Sequence, residues 1–91
     1  MLKLRLSKEA DRFLQKIPAK HGKQIAERIL ALQENPSALP TEDVKGYPPF
    51  RRLKSGEYRV IYFIADETLH VTLIGKRNDD EIYRQIERMR R

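Results

Sequence analysis

Residues 50–83 read FRRLKSGEYRVIYFIADETLHVTLIGKRNDDEIY. From Tyr58 to Ala65, Tyr58, Val60, Tyr62 and Ile64 share one parity, and Arg59, Ile61 and Phe63 share the other. The run is apolar on both sides over most of its length, which predicts a strand covered on both faces. Ser55-Gly56 marks a turn before it and Asp66-Glu67 a turn after it. Phe50 to Lys54 reads as a short strand on one side and Leu69 to Lys76 as a longer one on the other. Connections this short imply antiparallel neighbours.

The strand ends are basic. Arg52 and Lys54 share parity, so they project from one face roughly 7 Å apart. Arg59 opens the neighbouring strand just across the turn. It is the one charge on an otherwise apolar strand, and burying it without an anion would be costly. Arg77 lies beyond Gly75, at the exit of the last strand. A helix over DDEIYRQIERMR follows, capped by Asn78 or Asp79, with Ile82, Ile86 and Met89 as its apolar stripe. Tyr83 sits in its first turns. A small fold built this way gathers Arg52, Lys54, Arg59, Lys76, Arg77 and Tyr83 around one pocket.

Upstream, Leu2, Leu4 and Leu6 alternate with Lys3 and Arg5, the period of a strand with one buried face. Ser7 stands where a helix N-cap belongs, with Glu9 and Asp11 in the first turn, where carboxylates suit the helix dipole. Ala10, Phe13, Leu14 and Ile17 form the stripe of that first helix, and Pro18 stops it. A second helix spans about Lys20 to Glu34. Its stripe is Ile25, Ile29 and Leu32, widened by Ala26 and Leu30, and Asn35-Pro36 ends it. The two helices form a hairpin with an apolar inner side. Lys16, Lys20, Lys23 and Arg28 lie on or near its outer side, either as a solvated face or in non-specific contact with RNA phosphates. Residues 35–49 hold four of the five prolines together with Gly46 and read as one long loop, a candidate for binding.

The predicted order is β-α-α-β-β-β-α, a single α+β domain over residues 1–91: an antiparallel sheet on an N-terminal helical hairpin, with a loosely held C-terminal helix. There is no cysteine, so disulfides and thiolate metal sites are excluded. No apolar run approaches the roughly 20 residues of a membrane span. The opening MLKLRLSKEADR lacks the apolar core of a secretory signal, so a cytoplasmic setting is expected. Nineteen basic residues against thirteen acidic ones give a net charge of +6, which favours a polyanionic partner, either nucleic acid or an acidic protein.

Clustered cations repel one another and are tolerated where a phosphate is to sit. Arginine offers a fork of donors for two phosphate oxygens. Positive charge also favours phenolate over phenol, so a tyrosine among these cations is suited to take a proton from a ribose 2′-OH. Taken singly, Tyr83 reads first as an amphipathic core residue and each arginine as half of a surface ion pair. Composition and spacing by themselves give a phosphate-binding patch.

The run GEYRVIYFIADETLHVTLIGKRNDDEIY resembles the RelE toxin family, the ribosome-dependent mRNA interferases of type II toxin–antitoxin systems. The family's marks are a YR opening one strand, a GKR after the next, and a tyrosine six residues beyond. Here these are Tyr58-Arg59, Gly75-Lys76-Arg77 and Tyr83. The resemblance covers the whole chain, and its specific part is the C-terminal third. It implies a RelE-like fold and a metal-independent endoribonuclease with no cofactor. Arg59 would hold the scissile phosphate. Arg77 would stabilise the transition state or protonate the leaving 5′-oxygen, and Tyr83 would act as base or stacking residue. Arg52 and Lys54 match basic family positions with lysine and arginine exchanged. Arg51, Lys76, Lys20 and Lys23 would contact RNA. Where the best-known member carries a further catalytic lysine, two residues before Arg52, this chain has Phe50. Arg51 or Lys54 would compensate for the charge; if that lysine served as the base, the role falls to Tyr83 here or activity is weak.

The implied reaction is attack by the 2′-OH of an A-site codon on its own 3′-phosphate, giving a 2′,3′-cyclic phosphate and a 5′-OH. The implied partners are the 30S A site, mRNA and an acidic RelB-like antitoxin, whose helix would displace the C-terminal helix and Tyr83 with it. His21 and His70 lie away from Tyr83 and read as structural. Two alternatives remain. One is a ParE-like gyrase inhibitor, a sister branch of the same fold whose members generally lack the arginine–tyrosine set. The other is a non-catalytic binding module of this fold, for which Phe50 speaks.

Overall fold

The computed structural model describes residues 1–77 and 80–89, with the backbone alone for 80, 81 and 89. The elements are β1 (Lys3–Leu6), α1 (Lys8–Lys16), α2 (Ala19–Glu34), β2 (Thr41–Asp43), β3 (Arg51–Ser55), β4 (Tyr58–Ala65), β5 (Thr68–Lys76) and α3 (Asp80–Met89). The cap expected at Asn78 or Asp79 and the Met89 side chain lie outside the described residues. The five strands form one open sheet in the order β1-β5-β4-β3-β2.

β3, β4 and β5 are antiparallel neighbours, as their short turns require. Two features correct the expected sheet. It is mixed rather than wholly antiparallel, because β1 lies parallel to β5. Alternation in β1 reports a buried face and carries no information about direction; the α1–α2 hairpin returns the chain so that the strands run the same way. The expected 35–49 loop also contains a strand, β2, which pairs with β3 at the sheet edge.

Ser7 caps α1 as expected. Its hydroxyl accepts from the Ala10 N–H at 3.0 Å and donates to the Thr72 carbonyl at 2.6 Å, tying the helix start to β5. The α1–α2 pair covers one face of the sheet. Ala10, Ile25, Ile29 and Leu32 pack there on Leu53, Tyr58, Val60, Tyr62, Leu69 and Val71. Ala26 and Leu30, expected to widen the α2 stripe, face solvent, and Leu6 is 40% exposed. α3 covers the other face. Ile82 and Ile86 are buried there against Val44, Phe50, Ile61 and Leu73. The central strand is thus covered on both sides.

A bulge sets up the second face. Ile61 pairs with Leu73, but the next residue, Tyr62, pairs with Val71, leaving Thr72 as the extra residue. The Thr72 hydroxyl donates to the Ile61 carbonyl at 3.0 Å, which satisfies the interrupted ladder. The extra residue reverses parity along β5. Leu69 and Val71 belong to the α1–α2 side, while Leu73 belongs to the α3 side. Gly75, in register with Arg59, continues the α3 side. A Cβ there would stand 2.5 Å from Ile82 Cδ1, so the absent side chain is what lets α3 settle on β5.

Candidate functional site

Cross-strand register builds the site. Glu42 pairs with Arg52 and Arg52 with Ile61 in one row; Lys54 pairs with Arg59 and Arg59 with Gly75 in the next. Both rows belong to the face that α3 crosses. The β3–β4 turn brings Arg52, Lys54 and Arg59 together as their spacing required. α3 adds Tyr83 to the group.

Arg52 is the hub. Its Nη1 donates to the Tyr83 hydroxyl at 2.7 Å and its Nη2 to Glu42 Oε2 at 2.5 Å. Its Nε is buried and lacks an acceptor among the described residues. Lys54 Nζ lies 3.2 Å from the other Glu42 oxygen. One carboxylate thus bridges two of the site's cations, and this anion was not anticipated from the sequence. A glutamate inside a proline-rich stretch carries no site signature; only the pairing of β2 with β3 places it beside Arg52.

The bridge fixes ionisation states. Arg52 and then Lys54 hold the Glu42 carboxyl below the usual carboxylate range. Glu42 in turn raises Arg52 further above its ordinary value. A carboxyl whose pKa is lowered on folding stabilises the fold above its unfolded pKa and loses that contribution as pH falls through the folded one. The Tm difference between wild type and Glu42→Gln is therefore expected to shrink as pH falls below the ordinary carboxylate range and on through the lowered folded value, where the carboxyl protonates. Its size is modest, because the Glu42 side chain is 52% exposed. A pH-independent difference in thermal melts would refute the ionic role.

Arg59 is held differently. Its Nη1 donates to the carbonyls of Gly56 at 3.0 Å and Tyr58 at 2.8 Å. Among the described residues no carboxylate pairs with it, so its guanidinium keeps donors for an incoming anion. Arg77 is exposed just past β5, and its N–H donates to the Glu57 carbonyl at 2.7 Å, which pins the strand exit beside the β3–β4 turn.

The other expected contacts are not gathered here. Arg51 has the parity of Leu53 and turns to the opposite face, where it bonds the Thr41 hydroxyl at 2.9 Å and pairs with Asp43. Lys76, in register with Tyr58, shares that side. Lys20 and Lys23 are exposed on α2, across the sheet from Tyr83. Phe50 faces the site side but is buried, its ring edge-on to Phe63 at 5.6 Å. His70 stacks on Phe63 at 4.5 Å, and the His21 ring lies 5.4 Å from that of Tyr58; both histidines have packing roles.

The family described as ParE toxin of type II toxin-antitoxin system, parDE, matches residues 4–81. No curated protein matches the chain. Among solved structures it is similar to the isolated Escherichia coli RelE toxin, at 21% identity and a TM-score of 0.73 over 98% of this chain and 99% of that one. It is similar also to RelE in the archaeal RelE–RelB complex from Pyrococcus horikoshii, at 21% identity and a TM-score of 0.72 over 85% and 96%. A third likeness is to the RelBE2 toxin–antitoxin complex from Mycobacterium tuberculosis, at 23% identity and a TM-score of 0.71 over 84% and 98%. The solved structures share the fold, and the family match spans most of the sequence: the chain belongs to the RelE/ParE family of type II toxin–antitoxin toxins.

Proposed function

We propose that this toxin cleaves mRNA in the ribosomal A site and so stops translation. The observation that carries this is the grouping of Arg52, Lys54 and Arg59 on one sheet face with the Tyr83 phenol bonded to Arg52. Arg59, bound only to carbonyls among the described residues, takes the scissile phosphate first. Arg52 and Lys54 join it as the phosphate competes with Glu42 for them. Tyr83, acting as phenolate with the Arg52 guanidinium as its hydrogen-bonded counter-ion, takes the proton of the 2′-OH and becomes the phenol. The 2′-oxygen forms the new bond to phosphorus and the 5′-oxygen leaves with a proton from Arg77 or from water. The arginines stabilise the pentacovalent phosphate. The ribosome supplies alignment of the attacking oxygen. No step calls for a metal ion.

The site of action is the cytoplasm, with the 30S A site and mRNA as targets. The net charge of +6 suits an acidic, RelB-like antitoxin as the neutralising partner.

The test is to incubate purified protein with ribosomes stalled on a defined mRNA, beside an Arg77→Ala variant, and to map 5′ ends. A cut inside the A-site codon, absent without ribosomes and at least tenfold weaker in the variant, supports the proposal and the role of Arg77. A second reading is a gyrase inhibitor. It is favoured by the name of the matching family and by the end of that match at residue 81, before Tyr83. No cut, together with inhibition of DNA supercoiling, establishes it instead. Neither activity points to a binding module.

A further inference from the structure

The β2–β3 ribbon carries ion pairs on both of its faces. On the far face the Arg51 guanidinium ties down both neighbours of Glu42: it donates to the Thr41 hydroxyl at 2.9 Å and pairs with Asp43. By strand alternation Glu42 then projects to the near face. There its two oxygens divide between Arg52 Nη2 at 2.5 Å and Lys54 Nζ at 3.2 Å. A carboxylate placed this way occupies both cations as two oxygens of a phosphodiester would. β2 is an edge strand of three residues, so few backbone bonds fix its register and the Arg51 clamp adds to them.

We infer that Glu42 is an internal counter-ion that competes with RNA phosphate for Arg52 and Lys54, and that Arg51 is the positioning residue that aims it. This deepens the nuclease proposal and rests on it in taking RNA as the competing anion. The Glu42 side chain is half-exposed, so it turns out into solvent when displaced, and β2 need not move. Ion pairs this exposed are individually weak, which suits a contact that opens each time a strand binds. Arg59 lies outside the bridge and stays open to the first phosphate. The toxin therefore holds free RNA less tightly than its cations allow, and alignment on the ribosome makes up the difference. Charge alone counts Arg51 as an RNA contact. Its place in the fold gives it the opposite effect: acting through Glu42, it lowers affinity for RNA.

The test measures Kd by fluorescence anisotropy with a short labelled RNA that is 2′-deoxy throughout its scissile region and so cannot be cut. Glu42→Gln should bind about three- to thirtyfold more tightly than wild type, the weight of two weak ion pairs. Glu34→Gln removes the same charge from the exposed end of α2 and should change Kd by less than about twofold, because distant charges are screened. Arg51→Lys keeps the charge and loses the fork, so it should also tighten binding, by about two- to tenfold. Added to Glu42→Gln it should change nothing further. If Arg51→Lys fails to fold, Thr41→Val opens the clamp from its other side and carries the same expectation. On stalled ribosomes Glu42→Gln should lower KM by a similar factor. A Glu42→Gln protein that binds no more tightly than Glu34→Gln overturns the counter-ion. An Arg51→Lys protein that binds like wild type or more weakly overturns the positioning role. Tighter binding by Glu42→Gln beside a wild type that does not cut supports the counter-ion and overturns the nuclease proposal. Cutting in the A site with binding unchanged by Glu42→Gln does the reverse, so the two failures are distinguishable.

Discussion

Replacing Arg59 by alanine is expected to lower single-turnover cleavage of ribosome-bound mRNA by about 10²–10³-fold, the usual loss on removing one preorganised donor from a developing charge. The figure belongs to Arg59 rather than its neighbours because of what each already binds. Arg52 and Lys54 share Glu42, and an RNA phosphate must compete with that carboxylate for them. Arg59 is held by two backbone carbonyls, which orient the guanidinium without neutralising it. Arg59→Lys keeps the charge but loses the fork, so it should recover only part of the rate. Neither change should move Tm by more than a few degrees, since the side chain is only half-buried and sits at a strand end. Melting the variants alongside the kinetic assay separates chemistry from unfolding. An Arg59→Ala protein that is folded and cuts within threefold of wild type would show that the phosphate is held elsewhere.

Much of this site was legible because strand parity is a rigid rule. Arg52 and Lys54 two residues apart, and Arg59 across a tight turn, had to share a face once the turn was recognised at Ser55-Gly56. The same rule assigns Arg51 to the opposite face, although resemblance and charge alone count it among the RNA contacts. The stripe Ile25, Ile29 and Leu32 was legible for the matching reason, helical period. Three things were not. β2 is three residues long, and in Thr-Glu-Asp there is no apolar alternation and two of the three residues disfavour strands; it exists because β3 offers it an edge. Glu42 came into the site only with that strand. The bulge at Thr72 has no sequence mark either, although it decides that Leu73 and Gly75 face α3. Local rules specify what a strand's faces are; pairing partners and bulges are properties of the assembled sheet.

Gly75→Ala is the substitution expected to uncouple the two halves of the site. The added Cβ would stand 2.5 Å from Ile82 Cδ1 and 2.6 Å from Ile82 Cγ1, against ordinary contacts near 3.5–4.0 Å. Rotating Ile82 aside is obstructed, because it is buried beside Ile86 and Leu73. The remaining route is to lift α3. Overpacking of this kind costs about 1–3 kcal/mol, which for a domain of this size lowers Tm by roughly 5–20 °C. The α1–α2 face does not touch Gly75, so hydrogen exchange should quicken in α3 while the core amides of α2 and β4 follow only the global change. The functional consequence is larger than the stability loss. α3 carries Tyr83, and a lift of even about 1 Å breaks its 2.7 Å bond to Arg52, leaving the arginines proposed to hold phosphate in place but without their phenol. Activity should therefore fall at temperatures where the variant is fully folded. Combining the change with Ile82→Ala gives the decisive comparison. Ile82→Ala alone should cost about 2–5 kcal/mol as a cavity, but in the Gly75→Ala background the new methyl enters space that the isoleucine has vacated. The double variant should then be more stable than the sum of the single losses by about 1 kcal/mol or more. Strict additivity, or a Gly75→Ala protein that melts with wild type, would mean that α3 is not seated on that glycine.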